Sequence, residues 1–385
     1  MLRAAAVSGI GMDSTLPAST ELLAAAAGAF AIYGRFVSAG PYGSGHINDT
    51  FVAEFDQAGA RLRYILQRIN RRIFKDIPAL MDNIQRVSAH AARRASDSGL
   101  ADASRRALTL VATRDGSGYW QDAAGEVWRC YLFIEGARSF DLVETPPQAY
   151  EAARSFGDFQ RILVDLPGPR LKETIPDFHN TRKRFGHLQQ AIASDPLRRA
   201  ARIGADLDFA LKREPMLEVL PPLAASGAIP ERITHNDTKF NNVLLDNRSG
   251  QGICVIDLDT VMPGLALYDF GDLVRSATNS AREDERDLVQ VTMRMPIYRA
   301  LVAGYLSSAG QFLNEAERAH LAFAGKLITF EIGLRFLTDF IEGDPYFKIA
   351  RPQHNLDRAR NQFALVRSIE TQEAAMQSVA LRGTK

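Results

Sequence analysis

The spacing of apolar and polar residues changes character about a third of the way along the chain. An Ala-rich stretch, Leu22–Phe30, reads as a first helix. Apolar residues then come in short runs, Tyr33–Ser38, Ile47–Phe55 and Leu62–Ile69. The glycine-rich Gly40-Pro41-Tyr42-Gly43-Ser44-Gly45 and the turn Gln57-Ala58-Gly59 separate them. Strand, turn, strand, turn, strand predicts an antiparallel meander. Leu80, Ile84, Val87 and Ala91 recur at helical spacing and predict a helix from about Pro78 to Ala95, with Pro78 suited to its first turn. Leu108–Thr113 and Val127–Ile134 predict a second hairpin across a polar loop. From Pro146 the pattern is mostly helical. Strand signals return at Ile233-Thr234, Val243–Leu245 and Ile253–Leu258, and long helices run from Arg282 to the end.

The chain is therefore β-rich before about residue 137 and helix-rich after about 145. This predicts an N-terminal extension and first helix over 1–30, with 1–18 frayed. A small β-rich lobe follows over 31–137, then a larger helical lobe over 138–385. Composition removes several alternatives. Lys+Arg number 46 against 45 Asp+Glu, a net charge of +1, which argues against a nucleic-acid binder. No apolar run approaches the ~18 residues of a membrane span. Cys130 and Cys254 sit in strand-like settings, cannot build a disulfide framework, and read as buried thiols of a cytoplasmic protein. Nothing points to an obligatory protein partner.

The chemistry concentrates in Thr234-His235-Asn236-Asp237-Thr238-Lys239-Phe240-Asn241-Asn242, which fits H-x-D-x-x-x-x-N ahead of an apolar strand. Twenty residues after Asp237 another apolar strand ends in Asp257-Leu258-Asp259. A phosphotransferase using ATP and Mg²⁺ needs such a set. One carboxylate orients the attacking hydroxyl and takes its proton, and an Asn and an Asp hold Mg²⁺ through hard oxygens. Asn and Asp also serve as caps and turns, so the motif alone is ambiguous. Its distance from the Asp257 strand and from the upstream glycine-rich turn gives it weight.

On these residues the chain resembles the kinase-like small-molecule phosphotransferases, a group that includes aminoglycoside phosphotransferases, choline kinases and homoserine kinases. The resemblance spans nearly everything after residue 30. It implies an α+β, bilobal protein-kinase-like fold, with Asp237 as catalytic base and Asn242 and Asp257 as Mg²⁺ ligands. Asp259 either assists or orients the Asp257 loop. Asp269-Phe270-Gly271 imitates a D-F-G metal motif but lies twelve residues past Asp257. There the resemblance implies that Asp269 and Asp272 are structural. Gly43, Ser44, Gly45 and Asn48 lie where backbone N–H groups would cover ATP phosphates. The anchoring Lys expected on the third strand is replaced by Gln67-Arg68. Alternation sends these two to opposite faces. Arg68 is the expected phosphate cation, with Asp82 its expected partner. Glu135-Gly136 follow the Val127–Ile134 strand at the expected hinge, where adenine would bond to backbone.

The acceptor is read from the later helices. The segments Phe330–Phe347 and His354–Phe363, with the blocks Thr234–Asp246 and Val255–Asp272, closely resemble the N-acetylhexosamine 1-kinases. The resemblance implies a small-molecule sugar acceptor phosphorylated at its anomeric hydroxyl, with Arg335 and Tyr346 contacting it. The bland alternatives are an Arg335 paired with Glu331 or Asp339 at i±4 and a loop-packing Tyr346. Glu331, Asp339, Glu342 and Asp344 leave a cationic acceptor open on charge alone. Two other readings remain: the same fold acting on an aminoglycoside, an amino alcohol such as choline or a plain hexose, and a non-catalytic nucleotide-binding protein.

Overall fold

A computed structural model describes residues 18–43 and 47–382. Ser44 and Gly45, and the frayed segment expected before residue 18, fall outside the described residues. The chain forms two compact units: up to Asn70 with Leu110–Phe133, and Arg71–Thr109 with everything from Ile134 onward.

The first unit is a sheet with a helix. Ser19 caps α1 (Thr20–Ala29) by accepting from the Leu22 N–H. The strands are β1 (Arg35–Pro41), β2 (Asp49–Gln57), β3 (Ala60–Ile69), β4 (Leu110–Val111), β5 (Trp120–Gln121) and β6 (Val127–Leu132). β1, β2 and β3 form the expected antiparallel meander, and β6 pairs antiparallel with β3. The second hairpin forms too, with Leu110 opposite Tyr131. Its polar loop adds β5 on β6, because Trp120 packs against the core. One sheet face carries Phe51, Phe55, Tyr64, Leu66, Trp128 and Cys130, which bury against Leu23, Ala26 and Ala27 of α1.

The second unit is mostly helical. Asp76 caps α2 (Ile77–Asp97). Buried Asn83 fastens α2 within this unit by donating to the carbonyls of Lys172 and Val261. The sequence pattern groups α2 with the β-rich lobe; its buried face packs here because its partners are non-local. Then follow β7 (Ala137–Arg138), α3 (Pro146–Leu163), α4 (Thr181–Ser194), α5 (Gly204–Leu211) and α6 (Leu220–Ala225). The strands β8 (Arg232–Thr234), β9 (Val243–Asp246), β10 (Gly252–Val255) and β11 (Met262–Gly264) precede α7 (Ala266–Thr278). The chain ends in α8 (Met295–Ala309), α9 (Glu315–Ala319), α10 (Leu321–Glu342) and α11 (His354–Arg382).

β9 lies between β10 and β7, and β8 pairs with β11. The strand expected over Ile253–Leu258 ends at Val255, because Asp257 takes a left-handed conformation (φ 61°, ψ 62°) that leaves the sheet. The helix expected from Arg282 begins only at Met295, after an irregular stretch. α10 is apolar on nearly every side, as a central helix must be, and packs against α4, α7 and α11.

Candidate active site

β8 delivers the chain into the loop that carries Asp237, and β9 and β10 bring its partners back. Val243 pairs with Val255, so Asn242 just before β9 lies beside the end of β10. The Ile256 N–H donates to the Asn242 carbonyl at 2.9 Å, which draws the Asp257 turn to Asn242. The Asn242 amide donates to the Asp237 carbonyl at 2.8 Å and to its carboxylate Oδ2 at 3.2 Å. The three residues expected to act together are thus gathered by one hairpin and the loop before it.

Lys239, two residues past Asp237, places its ammonium 2.8 Å from Asp237 Oδ1. Burial works to raise the Asp237 pKa, but the Lys239 charge and hydrogen bond outweigh it and hold the carboxyl below its ordinary value. Asp237 stays ionised at neutral pH, with Lys239 on one oxygen and Asn242 on the other. Sequence reasoning passed over Lys239, although its place two residues from the candidate base was visible.

His235 staples the loop. Its Nδ1 accepts from the Asp237 N–H at 3.3 Å, which leaves the ring proton on Nε2 to donate to the Ile256 carbonyl at 2.9 Å. Phe156 and Phe159 hold the ring edge-to-face. Asn236 has a positive φ of 65°, a strained backbone for a non-glycine residue. Its amide donates to the Thr260 carbonyl, and the Asp269 carboxylate accepts from the backbone N–H of both His235 and Asn236. Asp269 is fully buried and also receives Gln160 at 2.6 Å. The Asp of the D-F-G look-alike is therefore a brace beneath the loop. Asp272 pairs with Arg275, both nearly buried. Asp259 is buried as well, at 3 % exposure.

A second brace is built on His179, which the sequence did not single out. His179 donates from Nε2 to the Asn236 carbonyl at 3.0 Å and from Nδ1 to Glu331 Oε1 at 2.8 Å. Thr181 donates to the other Glu331 oxygen at 2.6 Å. Both ring nitrogens face acceptors, so the ring is an imidazolium. Burial opposes that charge, but Glu331 prevails and raises the His179 pKa, while the Glu331 pKa is lowered against its own burial. A lone His far from the motif carries no sequence signal of this role.

Arg335, one turn past Glu331 on α10, has neither i±4 partner. Glu331 is engaged by His179 and Thr181. Asp339 accepts from the Tyr346 and Phe347 N–H groups at 2.8 and 3.0 Å and from the Asn355 amide. The Arg335 guanidinium instead lies among three rings, 5.6 Å from the centroid of Phe178, 5.8 Å from Tyr346 and 5.4 Å from Phe347. Arg335 and Tyr346 line one cavity of about 260 Å³ within the helical unit, together with Arg184 of α4 and Thr338. Tyr346 is 57 % exposed, and Asp339 fixes its loop. The two residues expected at the acceptor are brought together.

The expectations at the nucleotide end are met differently. Arg68 pairs with Asp49 at 2.6 Å, while Asp82 lies 3.8 Å from Arg86. Each of these is a pair within its own unit, across the β2–β3 register for Arg68 and along α2 for Asp82. Arg68 is opposite Trp128 in the β3–β6 register, on the sheet face that carries the α1 core. Gln67 is on the other face, opposite Arg129. Its Oε1 accepts from Arg129 Nε and Nη2 at 2.9 and 2.7 Å, and its amide donates to Thr50. Arg129 is fully buried and was missed by sequence reasoning, because one arginine inside an apolar strand reads as an interruption. Gly43 has the positive φ, 78°, of a glycine turn. Asn48 accepts from the Asn70 N–H at 2.9 Å and ties the end of the turn to the end of β3. The Glu135 carbonyl accepts from Arg105 Nε at 3.1 Å.

The fold is protein-kinase-like and α+β, with a β-rich unit and a helical unit that carries the Asp237 motif. The model of the phosphotransferase enzyme family APH matches residues 38–306, and the chain belongs to that family. Among solved structures it is similar to a microcompartment-associated aminopropanol kinase, at 19 % identity and TM-score 0.61, over 92 % of this chain and 98 % of that one. It is also similar to an aminoglycoside phosphotransferase from Alicyclobacillus acidocaldarius, at 13 % identity and TM-score 0.60, over 93 % and 96 %. Spectinomycin phosphotransferase, solved with ADP and spectinomycin, matches at 13 % identity and TM-score 0.51, over 88 % and 94 %. At these identities the likeness is one of fold. Among the described residues no helix is long and apolar enough to cross a membrane.

Proposed function

We propose that the protein transfers the γ-phosphoryl group of ATP to the anomeric hydroxyl of an N-acetylhexosamine, giving the sugar 1-phosphate and ADP. The observation that carries this reading is Arg335. Its guanidinium is held among Phe178, Tyr346 and Phe347, with both neighbouring helical acids engaged elsewhere. Arg supplies donors for sugar oxygens and the aromatic rings supply a face for the apolar side of the ring.

In this reading Asp237 orients the acceptor hydroxyl. The acceptor oxygen forms the new P–O bond, the bond to the ADP oxygen breaks, and the hydroxyl proton passes to Asp237. A carboxylate with a lowered pKa is a weak base, which suits late proton transfer in a loose transition state. An anomeric hydroxyl, more acidic than an ordinary alcohol, eases the demand further. Lys239 beside Asp237 offsets charge that builds on the transferring group.

The residues fit Mg²⁺. With its amide NH₂ engaged by Asp237, Asn242 keeps Oδ1 as a hard ligand next to the turn that carries Asp257. When bound there by Asn242 and Asp257, Mg²⁺ would neutralise phosphate oxygens. Gly43, Ser44, Gly45 and Asn48 are the proposed nucleotide cover, and Glu135 the proposed adenine contact.

A panel of sugars incubated with ATP, with the phosphate position read by NMR, tests the proposal. Phosphate on the anomeric oxygen of N-acetylglucosamine or N-acetylgalactosamine is expected. Phosphate elsewhere, or no turnover of any N-acetylhexosamine, overturns it. Asp237→Asn should lower kcat by about 10²–10⁴-fold while ADP binding, measured by calorimetry, persists. Unchanged turnover in that variant would remove Asp237 as the base, and ADP binding with no turnover of any acceptor by the wild type would mean a non-catalytic nucleotide binder.

A further inference from the structure

The cavity beneath Tyr346 holds a second arginine. α4 presents Arg184 and His187 three residues apart, and both line the same cavity as Arg335. Arg184 donates from Nη2 to the Phe178 carbonyl at 3.2 Å, and its buried Nε has no hydrogen-bond partner. Thr338 Oγ1, in the same lining, is likewise buried with no partner. Burial lowers the pKa of Arg184, and the nearby Arg335 charge lowers it further, so the two guanidinium groups repel each other.

The acids that could soften this field are mostly committed. Glu331 is paired with His179, and Asp339 accepts from two backbone N–H groups and Asn355. Asp344, nearby in sequence, pairs with Arg199 and receives Asn355. Glu342 remains in the cavity lining, on an exposed residue. A guanidinium donates hydrogen bonds and accepts none. The lining therefore offers donors in want of acceptors and positive charge in want of relief.

We infer that Arg184, together with Arg335, makes this cavity select acceptors that present oxygen lone pairs and exclude acceptors that carry an ammonium group. The inference rests on reading the cavity as the acceptor pocket, and adds to that reading a charge rule and the residue that enforces it. An ammonium seated there would face two like charges in a partly desolvated site, where each costs far more than in water. Acetylating an amine removes that repulsion and adds a carbonyl acceptor. The rule separates this pocket from one built for free amino alcohols.

The test uses matched pairs that differ in charge: N-acetylglucosamine against glucosamine, and 3,3-dimethylbutanol against choline, whose charge is permanent. For each, kcat/KM is measured by ADP release and affinity by calorimetry. The wild type should favour the neutral member of each pair by about tenfold or more. Arg184→Gln should move the two members in opposite directions, weakening the acetylated sugar through lost donors and improving the ammonium compounds. Arg184→Lys should restore the discrimination. A merely structural Arg184 would lower both members together.

Equal use of charged and neutral members by the wild type, or a ratio that Arg184→Gln leaves unaltered, overturns the inference. So does failure to bind either neutral compound. If the neutral members bind preferentially but no N-acetylhexosamine is phosphorylated, the proposed function fails and the charge rule stands. If N-acetylhexosamines are phosphorylated with no charge discrimination, the reverse holds.

Discussion

His179 is held as a cation in a buried position by one carboxylate and one backbone carbonyl. Removing either member of such a pair leaves an uncompensated charge inside the protein, which costs about 3–5 kcal/mol. His179→Gln should therefore lower the melting temperature markedly. It should also reduce kcat, because the Asn236 carbonyl, one residue from Asp237, loses its donor. The pH dependence has a definite sign. A raised His179 pKa means its contribution is fully present below the ordinary value of 6.5 and disappears as pH rises through the folded value. A lowered Glu331 pKa means its contribution is present above the ordinary 4.5 and disappears as pH falls through the folded value. The stability gap between wild type and His179→Gln should span neutrality and close at both extremes. Melting temperatures across pH check this, and a gap that keeps widening into alkali would refute it.

At the scale of elements, close helix crossings hold the site's scaffold. α3 carries Phe156 and Phe159 against His235 and crosses α8 at Gly304. A Cβ there would sit 2.1 Å from the Tyr150 carbonyl oxygen, a backbone atom that cannot swing aside. Gly304→Ala should destabilise the protein by about 1–3 kcal/mol, measured by chemical denaturation, with little change in nucleotide affinity. Gly271, the glycine of the D-F-G look-alike, serves a similar contact: its Cβ would meet the Ala324 carbonyl oxygen of α10 at 2.5 Å. The imitation of a metal motif thus has a packing origin. Asp269 braces the loop and Gly271 admits α10, the helix that carries both Glu331 and Arg335.

At the scale of the whole molecule, near-neutral charge removes polyanion steering, so the proposed nucleotide binding would depend on local groups and on the proposed divalent cation. Chelation should abolish turnover, and added Mg²⁺ should restore it. ADP with Mg²⁺ at 100 times its dissociation constant should stabilise the fold by about 2.7 kcal/mol, read as a rise in melting temperature. The same ADP with chelator should give a smaller shift. Equal shifts would mean that Asn242 and Asp257 hold no metal with the nucleotide.

What the sequence by itself determined is what local spacing can encode. The β2–β3 meander, the α2 pattern and the Asp237, Asn242 and Asp257 set were all legible, because alternation, helical periodicity and one hairpin are short-range features. Tertiary structure decided the pairings. Arg68 faces Asp49, because strand register chooses its neighbour. Arg129 under Gln67, His179 under the Asp237 loop, and Arg184 beside Arg335 join residues as much as 152 positions apart, as for His179 and Glu331. Such contacts leave no periodic trace, since a buried charge takes its meaning from whatever the fold sets against it.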